Sequence, residues 1–567
     1  MTKLNGGYLT LKTDAVKATE YSNAHTSALD RPMTGAHLEA LNWIQKTRWR
    51  VNRNVLAVAL GLKERGWAVE GWPSAEEIPA PVWQGPGEMD RTTDDGKAFL
   101  REREEVHYQN ARNAGIRKKL WDMLGMAEEL ATFPAIWFPH YADFRGRFYP
   151  RPQDLHTQGD SLVKGLLEFS EPQALGDNGQ YWTYVNAANY YGEDKLPLDD
   201  RARWTADHMM GILAAAEDPF GAGFEFWSKA DSPWEFLAAC YELKRLRDWL
   251  AVGNLPEDFQ STLVCRYDAT CSGIQHLAAL MKDEVSALQV NVVSQGPGIR
   301  ADIYTKVKDA VVKLVNLDRV DSRFREAAEL WVDRVVRGTV KRAVMTTPYG
   351  VSERGILNQI INDGFADHVE KGKARYAAAE YLTQKIVSAL DESIDAPRRA
   401  MAYFREVAKF LDKKGLPLVW DTPSGFTAKQ AYYKTNQKQV RTLHGDVLMR
   451  FEMPEAGFAP GKQVLGAAPN VVHSFDAAHL ALVAVAMKRE GVRDLAFVHD
   501  SFGCHAGNSD LLLRVTKEQF VAIYNRDTLE EWRQSVIKHS GCPDIPEVPP
   551  LGSLDVTKVL ESEFFFS

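Results

Sequence analysis

The chain of 567 residues is 45% hydrophobic and 25% charged, the proportions of a soluble globular protein, so general disorder is excluded. Its formal charge of −8, from 68 Lys+Arg against 76 Asp+Glu, excludes a protein that coats nucleic acid by bulk charge. It leaves room for an enzyme whose cations are gathered in one cleft.

Residues 1–36, polar and containing Gly6-Gly7 and Pro32, read as a lead-in segment. From Leu38 a helical period runs through LEALNWIQKTRWRVNRNVLAVAL, and its middle carries Lys46, Arg48, Arg50 and Arg53 with no acid. Residues 71–90 hold four prolines, four acids and no Lys or Arg, the composition of a loop. A second helical stretch follows, with Arg112, Arg117, Lys118 and Lys119, closing a helical region over 37–130. Short β-like segments fill 131–170, and 171–257 is helical and rich in aromatics. Strands are expected at 261–267 and 494–499. The first lies in a segment over 258–285 and the second in one over 473–567. Between them 286–472 is largely helical, with a hairpin around His444-Gly445-Asp446. The apolar run at 480–487 falls far short of the ~20 residues needed to span a bilayer, so no membrane role is expected. Five cysteines form no CxxC pair, which fits a reducing cytoplasm. The expected class is α+β, mostly α, with a small antiparallel sheet built from sequence-distant strands.

Three segments carry chemistry. STLVCRYDATCSGIQH places Asp268 where an apolar strand gives way to a helix, and DLAFVHDSFGCHAG places Asp500 at the tip of a tight strand-turn-strand. Each alone reads equally as a turn acid. A metal site from His499, Cys504 and His505 matches no zinc spacing. Brought together, Asp268 and Asp500 are hard oxygen ligands that suit Mg²⁺, and two such ions could activate a hydroxyl and stabilise a leaving oxygen. The third segment, AELWVDRVVRGTVKRAVMTTPYG, sets Arg337, Lys341 and Met345 four residues apart on one helix face, with Tyr349 closing the run. Stacked cations suit a triphosphate, and the plain alternative is a basic solvent face.

In order, DFRGRFY (143–149), DATCSGIQH (268–276), RGTVKRAVMTTPYG (337–350), PNVVHS (469–474) and VHDSFG (498–503) resemble the bacteriophage-type single-subunit DNA-dependent RNA polymerases, the family that includes the mitochondrial enzymes. The resemblance runs from about Leu38 onward and implies a right-hand fold. The thumb would be 37–130 and the palm 131–170, 258–285 and 473–567, with a helical insertion at 171–257. The fingers would be 286–472, with a specificity-loop hairpin at 434–452.

It further implies DNA-templated RNA synthesis from ribonucleoside triphosphates, with Asp268, Lys341 and Asp500 catalytic and two Mg²⁺ held by Asp268, Asp500 and the Ala269 carbonyl. Arg337, Lys341, Met345, Tyr349 and His473 would bind the nucleotide, Tyr349 and His473 sensing the sugar; His473 reads as lying in an apolar strand. A basic helix carrying Lys46, Arg48, Arg50 and Arg53, a palm pair Arg145 and Arg147 on one face of a short strand, and Lys434, Lys438 and Arg441 of the hairpin would contact the DNA template and RNA product. Two departures stand out. Pro348 should bias Thr347 away from helix and end or kink the fingers helix. The family's amino-terminal domain has no counterpart, so a separate protein replacing it is a candidate partner. The alternatives are a priming or partner-dependent RNA polymerase, a related DNA polymerase, and a catalytically silent nucleic-acid-binding subunit.

Overall fold

A computed structural model describes residues 5–6, 13–17, 33–69, 71–85, 87–320, 323–443 and 445–567. The lead-in segment of 1–36 lies largely outside them. Helix α1 (Gly35–Ile44) buries His37, Ala40, Leu41 and Ile44 on one stripe. The basic stretch that follows is not helical. Arg48-Trp49-Arg50-Val51 alternates with period 2, Trp49 and Val51 are buried, and strand β1 (Trp49–Val51) pairs antiparallel with residues 167–169. Helix begins again at α2 (Arg53–Arg65), where the Asn52 side chain accepts from Asn54 N and Val55 N; that Asn was a legible N-cap. After the proline-rich loop comes α3 (Asp94–Leu130), 37 residues that stay exposed over most of their length.

A hairpin of β2 (His140–Asp143) and β3 (Phe148–Pro150) leads through helices from Gly176–Tyr191 to Pro233–Ala251 into β4 (Cys265–Asp268) and helix α4 (Ser272–Leu280). Helices α5 (Ile303–Val320), α6 (Arg337–Thr346) and α7 (Asp395–Lys413) follow. Beyond them stands an exposed hairpin, β5 (Thr435–Thr442) with β6 (Gly445–Glu452), where the expected one lay. Next is α8 (Pro460–Arg489), through which the boundary expected at 472/473 cuts. Strand β7 (Ser501–Cys504) and helix α9 (Ser509–Tyr524) complete the elements around the site.

Helix α8 is the centre of the core: α1, α4, α7 and α9 all pack on it. Among the described residues it is the one helix long and apolar enough to cross a membrane, but 83% of its most apolar stretch is buried inside the protein. The layout is mostly α, with small sheets whose strands pair across long sequence separations.

Burial also holds several rings neutral. His37, His140 and His479 are pushed down to about 4 and His499 to about 3, while His276 and His473 fall well below their ordinary value. The unfolded chain protonates such rings near 6.5 and the folded chain does not. Stability present above pH 6.5 is therefore lost as pH falls, by up to ~1.4 kcal/mol per pH unit for each ring. Carboxyls held up by burial oppose this, Asp476 at about 6 among them, with Asp500, Glu168 and Glu235 also raised. With six depressed rings set against these carboxyls, the urea midpoint should fall between pH 6.5 and 5; a midpoint that stays flat or rises there would mean that the rings do not outweigh the carboxyls.

Candidate active site

The region expected as one strand at 261–267 divides in two. Gln260–Ser261 pairs with Gln173–Ala174, and β4 pairs antiparallel with β7. In that second pair Asp268 opposes Ser501, and one step further Ala269 N donates to Asp500 O (3.0 Å). Both aspartates thus stand at one end of one strand pair, although 494–499 itself is not strand. A two-residue turn, closed by backbone bonds of 2.8 Å in both directions between Val498 and Ser501, carries His499 and Asp500 at its tip. Asp500 is half-buried rather than exposed, and Ser272 Oγ donates to its Oδ2 (2.9 Å). Burial holds its carboxyl above the usual range, and the neighbouring Asp268 adds to the rise against Arg147 and Ser272.

Two non-glycine residues in left-handed backbone, Cys271 (φ 60) and His499 (φ 54), flank the aspartates. Each costs roughly 1–2 kcal/mol, strain of the kind stored where geometry matters more than stability. Segment 564–567 braces the first loop from below. Thr270 Oγ1 donates to Phe564 O (3.1 Å), Gln275 Nε2 to Phe565 O (3.0 Å) and Ser567 N to Asp268 O (3.2 Å).

Arg145 and Arg147 lie in the β2–β3 turn, not on a strand, because Asp143 Oδ1 accepts both of their backbone N–H groups (2.9 and 3.0 Å) and folds the chain back. Gly146 (φ 102) is required there: a Cβ would meet the His37 ring and Phe426 at 3.1 Å. The two side chains reach α8, which corrects the strand expected around His473 to helix. Arg147 forms a two-armed ion pair with buried Asp476, Nε to Oδ1 at 3.1 Å and Nη2 to Oδ2. Arg145 Nη1 donates to His473 Nδ1 (2.8 Å). Guanidinium has no acceptor, so Nδ1 must be unprotonated and Nε2 carries the hydrogen. Burial, then Arg147 and Arg145, keep that ring neutral.

The Tyr349 ring packs against His473, centroids 4.5 Å apart and planes tilted by 35°, and burial with Asp476 and Asp500 nearby holds its phenol protonated. Helix α6 ends at Thr346, as Pro348 implied, yet Thr347 remains helical in backbone (φ −58, ψ −50). Its Oγ1 bonds Ala343 O (2.8 Å), outweighing the bias imposed by the following proline. Pro348 instead packs against α4: a Cβ on Gly273 would come within 2.8 Å of Pro348 Cβ.

On α6 the Arg337, Lys341 and Met345 face is the one left uncovered, while Val340, Ala343 and Val344 are buried. Arg337 is gripped by Asp302 (Nε to Oδ2 2.6 Å, Nη2 to Oδ1 3.3 Å) and lies 4.8 Å from the Tyr304 ring. Asp268, Asp500 and the Ala269 carbonyl, which keeps one lone pair beyond its bond from Cys271 N (3.0 Å), are all hard oxygen donors. As a donor set they suit Mg²⁺. Among the described residues no three His, Cys, Asp or Glu side chains gather as a metal cage.

The other predicted cations are dispersed. Arg48 pairs with Glu171 (2.7 Å), Arg50 with Glu168 (2.6 Å), Arg53 donates to Ala131 O (2.8 Å), and Lys46 is exposed. Lys434, Lys438 and Arg441 are exposed on or beside the hairpin. Sequence reasoning overlooked Asp302, Ser272 and Asp476. Asp476 carried a signal, three residues from His473 and hence on the same helical face.

The site thus sets a strand pair presenting two carboxylates beside a basic helix and a tilted Tyr–His pair. A profile of the family described as DNA-dependent RNA polymerase matches residues 173–543, and the chain belongs to that family. It is similar to DNA-directed RNA polymerase 2, chloroplastic/mitochondrial, of Arabidopsis thaliana, 33% identical over 93% of this chain and 52% of the relative. The mitochondrial DNA-directed RNA polymerase 1 of the same plant is 32% identical over 93% and 54%, and the chloroplastic polymerase 3 of Nicotiana sylvestris 30% over 93% and 53%. The chain spans about half the length of these relatives. A solved POL domain of Pol1 from M. smegmatis, in complex with DNA primer-template and dNTP, is 15% identical over 76% of this chain and 72% of its own, with a TM-score of 0.20.

Proposed function

We propose that this chain is the catalytic body of a DNA-templated RNA polymerase, adding ribonucleotides to RNA and releasing pyrophosphate. The observation that carries the reading is the β4–β7 register, which joins Asp268 and Asp500 across 232 residues beside Tyr349 and His473. In this reading β4 and β7 form the palm of a right hand, 286–472 the fingers and 37–130 the thumb. Asp268, Asp500 and the Ala269 carbonyl would hold two Mg²⁺, which when bound lower the attacking hydroxyl's pKa and offset charge at phosphorus.

The chain's own groups do the rest. Arg337 and Lys341 bind the triphosphate along one helix face, and Lys341 gives a proton to the departing pyrophosphate. Tyr349 stacks at the insertion site, and His473, fixed by Arg145 as an Nε2–H donor, meets the ribose 2′-hydroxyl. Exposed cations of the β5–β6 hairpin and the thumb would contact DNA and RNA, in a salt-dependent way where they meet phosphates. Five free thiols among the described residues fit a reducing compartment.

The test is extension of an RNA primer on a DNA template with Mg²⁺ and ribonucleotides, repeated with deoxynucleotides. No extension defeats the reading, and a preference for deoxynucleotides converts it to a DNA polymerase. Running it from a duplex promoter, with and without added proteins, asks whether a partner is needed. Tyr349→Phe should relax ribose selectivity by about tenfold, the loss of one hydrogen bond to a poised partner. Unchanged selectivity would remove Tyr349 from that role.

A further inference from the structure

Beside Arg337 lies a group of cations that the aspartates and the sugar-sensing residues do not account for. Arg201, on helix Leu198–Asp207, is fully buried. Its Nε donates to Leu196 O (2.8 Å) and its Nη1 to Asn189 Oδ1 (2.9 Å), while Nη2 has no hydrogen-bond partner. Arg300, two residues before Asp302, approaches Asp194 Oδ2 to 3.7 Å through Nη1, too far for a hydrogen bond, and that nitrogen is also without a hydrogen-bond partner. Arg300 is two residues along the chain from the carboxylate that grips Arg337, which sets it at the Arg337 end of the nucleotide site, and its charge works against that of Arg201.

The nearby acids are largely committed. Asp194 contacts Lys195, Asp302 grips Arg337, and Glu563, which with Asp194 acts on Arg201, accepts from Gly298 N (3.2 Å). One fully buried guanidinium and one half-buried one, each with an open N–H position and next to further cations, are unfavourable unless an anion completes them. Planar forks of N–H donors suit a polyphosphate better than a single carboxylate.

We propose that Arg300, backed by Arg201, is a product-side phosphate site that receives pyrophosphate as it leaves Arg337 and Lys341. The inference rests on the polymerase reading and extends it to product release. Arg300 is the residue to change, because Arg201 is enclosed and its loss would disturb the fold. In Arg300→Gln the inhibition constant for inorganic pyrophosphate should rise about tenfold, the worth of one charge-assisted contact, and pyrophosphorolysis should slow in parallel. The KM for ribonucleotides should move less than about twofold, and Arg300→Lys should recover part of the loss. Unchanged pyrophosphate inhibition would overturn the proposal. So would a KM that rises by the same factor, which would make Arg300 part of the substrate cradle. Calorimetric titration of inorganic pyrophosphate into wild type and Arg300→Gln separates the two levels. If wild type adds no nucleotides the polymerase reading fails, and the titration still tests Arg300. If wild type polymerises and the variant matches it in every readout, the pyrophosphate site alone falls.

Discussion

Asp500→Asn should lower the rate of nucleotide addition by about 10³-fold, ~4 kcal/mol of barrier, while the protein remains folded and as stable as before or more so. The two effects have one origin. The carboxylate is largely enclosed, shares its end of the strand pair with Asp268, and is held above its usual pKa mainly by burial. A carboxyl raised in the folded state costs stability once pH exceeds its unfolded value near 3.8, so a neutral isostere removes a cost at pH 7. The Ser272 contact and the Ala269 N to Asp500 O bond do not need the charge. What Asn cannot supply is a hard anionic oxygen for a divalent cation. Primer extension with a parallel thermal melt checks both halves. Full activity in this variant would remove Asp500 from the chemistry, and a collapsed melt would mean that its charge is structural.

The second large effect concerns Arg147. Removing it as Arg147→Ala should cost ~3–5 kcal/mol of stability, because Asp476 is left buried with no partner beside Asp500. Activity should fall as well, since Tyr349, His473 and Asp500 all lie within reach of the same guanidinium. The paired change Arg147→Met with Asp476→Leu should recover most of the stability by making the contact apolar, without recovering activity. Urea denaturation of the two single variants and the double variant reads the coupling. Additive losses would mean that the pair is not a unit.

Much of the placement of the candidate site residues was legible because it rests on short motifs whose residues stay local. Asp268 at a strand's end, the Arg337–Lys341–Met345 face and the hairpin over 435–452 depend on period and spacing alone. Errors came where tertiary partners decide. The basic run after α1 became strand because Trp49 and Val51 bury against Phe169 and Leu167, more than a hundred residues away. His473 sits in a helix because α8 is buried on nearly every side, and a helix whose polar residues are buried with its apolar ones shows no readable amphipathic period. Arg145 and Arg147 look like duplex-facing cations in sequence, yet each is engaged inside the protein, one ordering a histidine and the other neutralising an aspartate. Sequence reveals the sign of a charge more readily than its partner.

The strand pair that unites the aspartates bears on how the site comes into being. One half of the catalytic centre is synthesised 232 residues before the other, and the loop it rests on is braced by residues 564–567. During translation the first aspartate waits on a scaffold of helices that can fold from local contacts, while its partner strand has not yet been made. The two aspartates can therefore share one strand pair only after the stretch from Asp268 to Asp500 has been synthesised, so that shorter products of synthesis lack the assembled site.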